Sequence, residues 1–374
     1  MQFTIGQSEF IEALSAVANI VPTRTPLPII GNLLLAAESD ELALSATDLD
    51  LSVTIRVKAK VDSGGRVTLP ARKLTDMIRA LPPSPVRVRG EAEHVTVECE
   101  NSQFRVHGLP AEDFPTFPSL DFEDGLTVTA GTIAKLAAHT SFAASSEDTR
   151  PILNGVLWEV LDERMQMVAT NGHRLARYAV STSGRGPKKP GRDVIVPPKA
   201  LSQIGRIFGP DDEIVVAMDE KQIGFRGERG VVYSRLIEGP YPNYEQVIPK
   251  DNDKRLRADK ERLSAALRRM AVMASDQTHR VRLSLKDDAL KLYVSTPDVG
   301  EGSEEMTVSY EGDPIDIGFN ANYLLEVLRF VDSDEVEISL KAPERAALVE
   351  PAGENGSKNE AQYLCLVMPL RLQE

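Results

Sequence analysis

Cysteine occurs twice in 374 residues, tryptophan once, and aromatic residues make up 5% of the chain. Cys99 and Cys365 stand far apart in strand-like stretches, which excludes a disulfide framework. Two buried thiols in a reducing cytoplasm fit better. The five histidines, at 94, 107, 139, 173 and 279, show no pair at metal-ligand spacing. No G-x-S-x-G, Walker loop, H-E-x-x-H or C-x-x-C occurs. An enzyme built on those constellations, a resident metal and a cofactor are therefore not expected. No apolar run approaches the roughly 20 residues that cross a bilayer, and MQFTIGQSEF has neither the basic start nor the apolar core of a signal peptide. A membrane partner is not expected either.

The chain does have repetition. Pro28-Ile29-Ile30-Gly31-Asn32-Leu33-Leu34 returns 123 residues later as Pro151-Ile152-Leu153-Asn154-Gly155-Val156-Leu157. At the same offset Ala46-Thr47-Asp48 returns as Ala169-Thr170-Asn171. Leu109-Pro110 with Phe114-Pro115 returns 127 residues later as Leu236-Ile237 with Tyr241-Pro242. A fainter third copy places Leu324, Val327 and Val331 beyond Leu201, Ile204 and Phe208. Solenoid units are about 20 to 50 residues long, so a period this long is a whole domain copied three times. The expected domains are 1–125, 126–250 and 251–374. Modules in a row make a symmetric or curved surface more readily than one catalytic pocket.

Each copy opens with a strand and an amphipathic helix. Phe3 and Ile5 precede a helix from about Ser8, with Phe10, Ile11, Leu14 and Val17 on one face. Counterparts begin near Thr132 and Asp259, and Ser8 and Thr132 are the expected N-caps. A second helix is expected at about 71–81, 198–208 and 320–331. Strands such as Glu41–Ser45, Val86–Val88, Val95–Val97, Ile214–Val216, Leu290–Val294 and Val336–Leu340 alternate as half-buried strands do. Helices on one face of antiparallel sheets is an α+β layer arrangement. Two polar Gly-containing stretches, Ser181–Gly191 and Pro351–Gln362, read as solvated connections.

The net charge is −13, which by itself argues against nucleic acid, but distribution matters more than the sum. The helix windows 8–19, 71–80, 131–144, 198–208, 259–274 and 320–330 carry eleven Lys or Arg against six Asp or Glu. A basic helical surface in an otherwise acidic chain suits phosphate contact without base readout. Asp48 and Asp50 could form a carboxylate pair, yet ATNGH replaces ATDLD in the second copy, which favours a turn.

ATNGHRLA (169–176), LPAEDFP (109–115), LNG (153–155) and VMPLRL (367–372), with the threefold repeat, resemble the bacterial sliding clamps, the beta subunits of DNA polymerase III. The resemblance runs from Phe3 to Leu372 and keeps the order of every motif. It implies a head-to-tail homodimeric ring with helices inside and sheets outside, around duplex DNA read without regard to sequence. Twelve helices about 10 Å across would leave a hole on the order of 28 Å. It implies further partners that dock through short linear motifs: the DNA polymerase III catalytic subunit, the clamp loader and other polymerases or repair proteins. Their cleft would lie between the second and third domains, at Leu153, Thr170, Gly172, His173, Arg174, Leu175, Pro242, Val247, Asn320, Tyr323, Val367, Met368, Pro369, Leu370, Arg371 and Leu372. Leu and Met would form its floor, His173 and Arg174 a polar rim. Arg24, Lys73, Arg79, Arg150, Lys199 and Arg206 would face DNA. Phe104 and Arg105 would meet Val272 and Met273 across the ring joint. Gln246, Thr278 and the terminal Gln373-Glu374 depart from the usual pattern. A peptide-binding scaffold without DNA is the alternative from another class, and a hydrolase using His173 lacks a nucleophile.

Overall fold

The first helix of each copy follows its strand directly, and its apolar stripe turns inward. The computed structural model describes residues 1–91, 93–147, 149–161, 164–181, 193–275, 277–297, 299–353 and 361–372. The six α-helices among these residues are α1 (Gln7–Ala18), α2 (Ala71–Ala80), α3 (Ala130–Ala138), α4 (Pro198–Ile207), α5 (Lys260–Met273) and α6 (Ala321–Leu328). In α1 the buried residues are Phe10, Ala13, Leu14 and Val17. In α2 Ala71, Leu74, Thr75 and Ile78 are buried while Arg72, Lys73 and Arg79 are exposed. The same division in α4 buries Leu201, Ile204 and Ile207 and exposes Lys199 and Arg206. Burying one such Leu or Ile contributes roughly 1.5–3 kcal/mol, which fixes which face of each helix is left for the cations.

The second copy's first helix is shorter than the window 131–144, because two side chains cap it from within. His139 Nδ1 lies 2.8 Å from the Lys135 carbonyl and Thr140 Oγ1 donates to the Leu136 carbonyl at 2.8 Å. Such side chains compete with the backbone for its own acceptors. The helix stops at Ala138, and a separate 3-10 turn, Ser141–Ala143, follows. The N-caps also differ from expectation. Ser8 lies inside α1, whose cap is Gly6 with no side-chain bond. Thr132 lies inside α3, where Thr129 Oγ1 accepts from the Thr132 N–H at 3.4 Å. Asp259 caps α5 and Asn320 caps α6 through their carboxylate and amide oxygens.

The chain forms two compact units, residues 1–134 with 199–236 and residues 135–198 with 237–374. The first holds a five-stranded and an eight-stranded sheet, the second a nine-stranded and a four-stranded sheet, all antiparallel. In the eight-stranded sheet Leu51–Lys58 pairs with Gly230–Arg235, from Leu51 opposite Ser234 to Ile55 opposite Gly230. In the nine-stranded sheet Arg174–Ser181 pairs with Ala361–Val367, from Arg174 opposite Val367 to Val180 opposite Ala361. Each large sheet therefore runs without a break through strands of two sequence copies. Helix α1 packs on α2 and on the strands Glu41–Thr47 and Leu51–Lys58; α5 packs on α6 and on the strands of the four-stranded sheet.

Two hairpins turn without glycine. Ser39-Asp40 and Asp287-Asp288 take φ of 49° and 61°, and 49° and 57°. Each dipeptide links strands whose last pair, Glu38 with Glu41 or Lys286 with Ala289, closes a two-residue loop. That loop needs positive φ at both positions, which Asp tolerates better than most residues. The stretch Ser181–Gly191 lies, apart from Ser181, outside the described residues. Pro351–Gln362 is shorter than expected as a loop: Pro351 ends one strand, Ala361 begins the next, and 354–360 lie outside the described residues.

Candidate functional site

Several of the candidate cleft residues meet at a hairpin turn in the second unit. Thr170-Asn171-Gly172-His173-Arg174 joins the strands Arg164–Thr170 and Arg174–Ser181. Asn171 Oδ1 accepts from the N–H groups of His173 at 2.9 Å and Arg174 at 3.0 Å. Thr170 Oγ1 accepts from Gly172 N–H at 3.1 Å and donates to the Arg174 carbonyl at 2.7 Å. Gly172 sits at φ +86°, where a Cβ is disfavoured. The motif TNGH is thus a self-satisfied turn, and His173 stands exposed at its tip.

The C-terminal segment crosses from this turn to another strand. Met368 donates its N–H to the His173 carbonyl at 2.8 Å, and Leu370 donates to the Gly318 carbonyl at 2.8 Å. Arg280 Nη1 adds a bond to the Arg371 carbonyl at 3.0 Å. A Cβ on Gly318 would stand 2.7 Å from the Leu370 oxygen and 2.9 Å from Leu372 Cδ2. Only glycine allows that approach. Val367 is buried, Met368 is 39% exposed, and Pro369, Leu370 and Leu372 are half-buried with Arg371 outside.

Beneath lies an apolar cluster of Leu157, Val168, Leu175, Ile195, Tyr244, Leu364 and Leu366, with Ile152, Tyr241, Ile248 and Leu348 packed against it. Of the predicted residues it contains Leu175. Leu153 is buried but is not a member; its neighbour Ile152 takes that place. Val247 is 57% exposed and ends the 3-10 turn Tyr244–Val247 that carries Tyr244 into the cluster. Pro242 is exposed between the two tyrosines. Sequence reasoning missed Tyr241, Tyr244, Ile152 and Leu366. The repeat already matched Tyr241 to Phe114, a signal that could have found it. Tyr244 is held by donating to Glu159 at 2.8 Å, while Gln166 donates to its oxygen at 2.8 Å. Burial raises the Tyr241 and Tyr244 hydroxyls well above the ordinary tyrosine pKa.

Arg174 is the clear correction. It is 7% exposed and does not form a rim. Its guanidinium donates to the Glu326 carboxylate and the Phe142 carbonyl. Its centre lies 4.5 Å from the Tyr323 ring and 5.3 Å from the Phe142 ring. A buried guanidinium costs several kcal/mol unless it is paired, and these partners pair it. Tyr323 reaches the region because Asn320 Oδ1 accepts from the Asn322 and Tyr323 N–H groups at 2.9 and 3.3 Å. Asn320 and Tyr323 therefore brace Arg174. Behind them His139 packs 4.1 Å from the Tyr178 ring and 5.4 Å from the Tyr363 ring, with Asp332 3.7 Å from its Nε2. Burial lowers its pKa below the usual histidine value.

The candidate DNA-facing side chains are exposed: Arg24, Lys73, Arg79, Arg150, Lys199 and Arg206. They are not equally free. Lys199 is ion-paired with Asp48, and Arg79 with Asp76 at 3.5 Å. Arg150 Nη1 would stand 3.2 Å from a Cβ on Gly172, against the TNGH turn. Lys73, Arg24 and Arg206 have no salt bridge among the described residues. The candidate joint residues lie at sheet margins. Phe104, 40% exposed, and Arg105 are on Ser102–His107, the edge strand of the five-stranded sheet. Val272, 81% exposed, and Met273 end α5, and a Cβ on Gly300, in the edge strand Gly300–Thr307 of the four-stranded sheet, would lie 3.5 Å from Met273 Cε. Gln246 and Thr278 are exposed, and Gln373-Glu374 lie outside the described residues. No cluster of three or more His, Cys, Asp or Glu able to hold a metal occurs among the described residues, and no helix there is long and apolar enough to cross a membrane.

Comparison with known proteins gives a consistent result. Residues 1–118, 127–243 and 245–369 match the N-terminal, central and C-terminal domain families of the DNA polymerase III beta subunit. The chain is 34% identical over 375 residues to the beta sliding clamp of Vibrio cholerae and 33% identical to that of Escherichia coli K12, with 100% of each chain covered. The crystal structure of the Pseudomonas aeruginosa sliding clamp bound to griselimycin is similar at a TM-score of 0.91 and 33% identity, and the Caulobacter crescentus clamp at 0.87 and 31%, each covering all of both chains.

Proposed function

The chain belongs to the DNA polymerase III beta subunit family and is a DNA sliding clamp; from that premise we propose that it closes as a head-to-tail homodimeric ring and holds its partners in the cleft around Leu175. Like its family it is a processivity factor and performs no catalysis. The domains are 1–125, 126–250 and 251–374, a reading that the three family matches support. It works on DNA in the cytoplasm.

The observation that carries the DNA reading is the two-faced helix. In α2 and α4 the apolar face is buried and the opposite face carries Lys73, Arg79, Lys199 and Arg206. Rigid backing with long flexible cations suits phosphates that must exchange quickly as the protein moves. Ring closure supplies persistence, so the electrostatic attraction can stay weak. The exposed edge strands with Phe104 at one margin and Val272 near another support the joint, since two unpaired edges joined twice close a ring.

The cleft takes short linear motifs of the polymerase III catalytic subunit, the clamp loader and other polymerases or repair proteins. Leu, Met and Tyr side chains suit apolar anchors, and the extended Met368–Leu370 segment, whose N–H groups are already bonded, offers carbonyl oxygens to a peptide. The deciding experiment loads the protein on closed circular and on linear DNA of the same length. Retention on the circle with loss from free ends is expected; equal retention on both would sink the encircling reading.

A further inference from the structure

The repeat has a consequence in the first copy. In the second copy, Leu157, Val168 and Tyr244 share one cluster with Tyr241 packed against it. The matching positions, 123 residues earlier for the strands and 127 for the loop, are Leu34, Ser45, Phe117 and Phe114. These four line one cavity of about 340 Å3, with Arg66 and Glu112 also on its wall. The register agrees as well, for Leu34 stands opposite Ser45 as Leu157 stands opposite Val168.

In the first unit the chain also covers the surface of a strand in the same sheet. Gly230–Arg235 lies beside Leu51–Lys58 as Ala361–Val367 lies beside Arg174–Ser181. In the first unit the chain itself covers that strand: Leu120 and Phe122 pack on Ala217, Val231 and Tyr233. The Phe122 ring lies 6.2 Å from Tyr233 and 3.8 Å from the Arg226 guanidinium. A stretch of apolar, acidic and apolar residues, Leu120-Asp121-Phe122, thus already lies against the strand Gly230–Arg235, while the cavity at Leu34 and Phe117 is left open.

We propose that this cavity is a second anchoring site for a short linear peptide, with one Leu or Phe side chain against Leu34, Phe114 and Phe117 and an adjacent carboxylate on Arg66. The charge supports this occupant. Arg66 is exposed and its guanidinium has no ion pair or hydrogen bond among the described residues, whereas the Ser45 hydroxyl is already bonded to Thr54 Oγ1 at 2.8 Å. A free guanidinium beside an apolar wall favours a peptide that carries an acid next to its anchor. Glu112 on the same wall disfavours a run of acids, so a single carboxylate fits. Ser45 in place of Val168 makes the floor more polar, so the site binds more weakly than the cleft of the second copy. The proposal rests on reading that cleft as a peptide site.

The test uses the full chain and the peptide acetyl-Ser-Leu-Asp-Phe-amide, patterned on residues 119–122, with benzoylphenylalanine in place of its Phe. After irradiation, mass spectrometry should find label on 111–117 or on the strand Gly65–Pro70, besides label at 241–248 or 366–370. Arg66→Glu, at an exposed position that folding tolerates, should cut the first label about three- to tenfold and leave the second unchanged. Absence of label on 111–117 and Gly65–Pro70, or indifference to Arg66→Glu, overturns the proposal. Label in the first pocket with none at 241–248 or 366–370 upholds this site and fails the cleft reading alone.

Discussion

The Arg174 guanidinium lies 4.5 Å from the centre of the Tyr323 ring and donates to the Glu326 carboxylate, so a residue of the TNGH hairpin is locked to helix α6. Truncating it leaves the Phe142 carbonyl and Glu326 without their donor and opens a void between two rings. Arg174→Ala should lower the stability to chemical denaturation by about 2 kcal/mol. Lysine cannot restore a planar fork stacked on tyrosine, so Arg174→Lys should recover less than half of the loss. An unchanged denaturation midpoint in Arg174→Ala would show that the contacts carry no net stability.

Cations on the exposed faces of α2 and α4 should not contribute equally to DNA binding. Each phosphate contact removed lowers the salt slope by about 0.9. Lys73, with no salt bridge among the described residues, should show that full effect in Lys73→Ala. Lys199 must first leave Asp48, so Lys199→Ala should show a smaller one. Asp48→Asn should then strengthen association at low salt. A Lys199→Ala effect equal to that of Lys73→Ala, with no gain from Asp48→Asn, contradicts this ordering.

His139 gives the fold a pH dependence of fixed sign. Burial lowers its pKa in the folded protein, so below about pH 6.5 the unfolded chain takes up a proton that the folded one resists. Its contribution is therefore present above that pH and lost as the pH falls. Denaturation midpoints measured from pH 7.5 to 5.5 should fall less steeply in His139→Gln than in the unaltered chain. Parallel curves would remove His139 from the account.

Much of this was legible in the sequence, and what was not has physical reasons. The repeat located the start of each of the six helices to within a residue or two, because a stripe such as Leu74, Thr75 and Ile78 has to be buried. The early end of α3 was hidden because His139 and Thr140 act through side-chain bonds that periodicity does not register. Pairing of Leu51–Lys58 with Gly230–Arg235 was equally hidden, since alternation gives a strand's faces and leaves its edge partner open. Arg174 read as a rim residue because arginine is mostly exposed; its carboxylate partner lies 152 residues away.

The joint should fail from either side. Phe104 and Val272 are among the exposed large apolar residues, and a charge at either position would be buried without a partner if the margins meet. Phe104→Asp and Val272→Asp should each give monomers in sedimentation equilibrium at micromolar concentration while keeping the native circular dichroism. A dimer in both variants would move the joint elsewhere.

The proposed cleft is best tested by removing the C-terminal segment assigned to it. Deletion from Met368 onward loses the bonds from Met368 to His173, from Leu370 to Gly318 and from Arg280 to Arg371. Each is worth about 0.5–1.5 kcal/mol, while Leu366 and Val367 stay buried in the sheet. The truncated chain should therefore fold, dimerise and stay on circular DNA. A partner peptide, however, loses the Met368 and Leu370 side chains as packing surface, each contributing up to roughly 1.5–3 kcal/mol when fully buried. Its affinity in calorimetry should drop by at least about tenfold, and processive synthesis should cease. Retained affinity, with dimer and circle retention intact, would place the partner site away from this segment and leave the clamp reading standing.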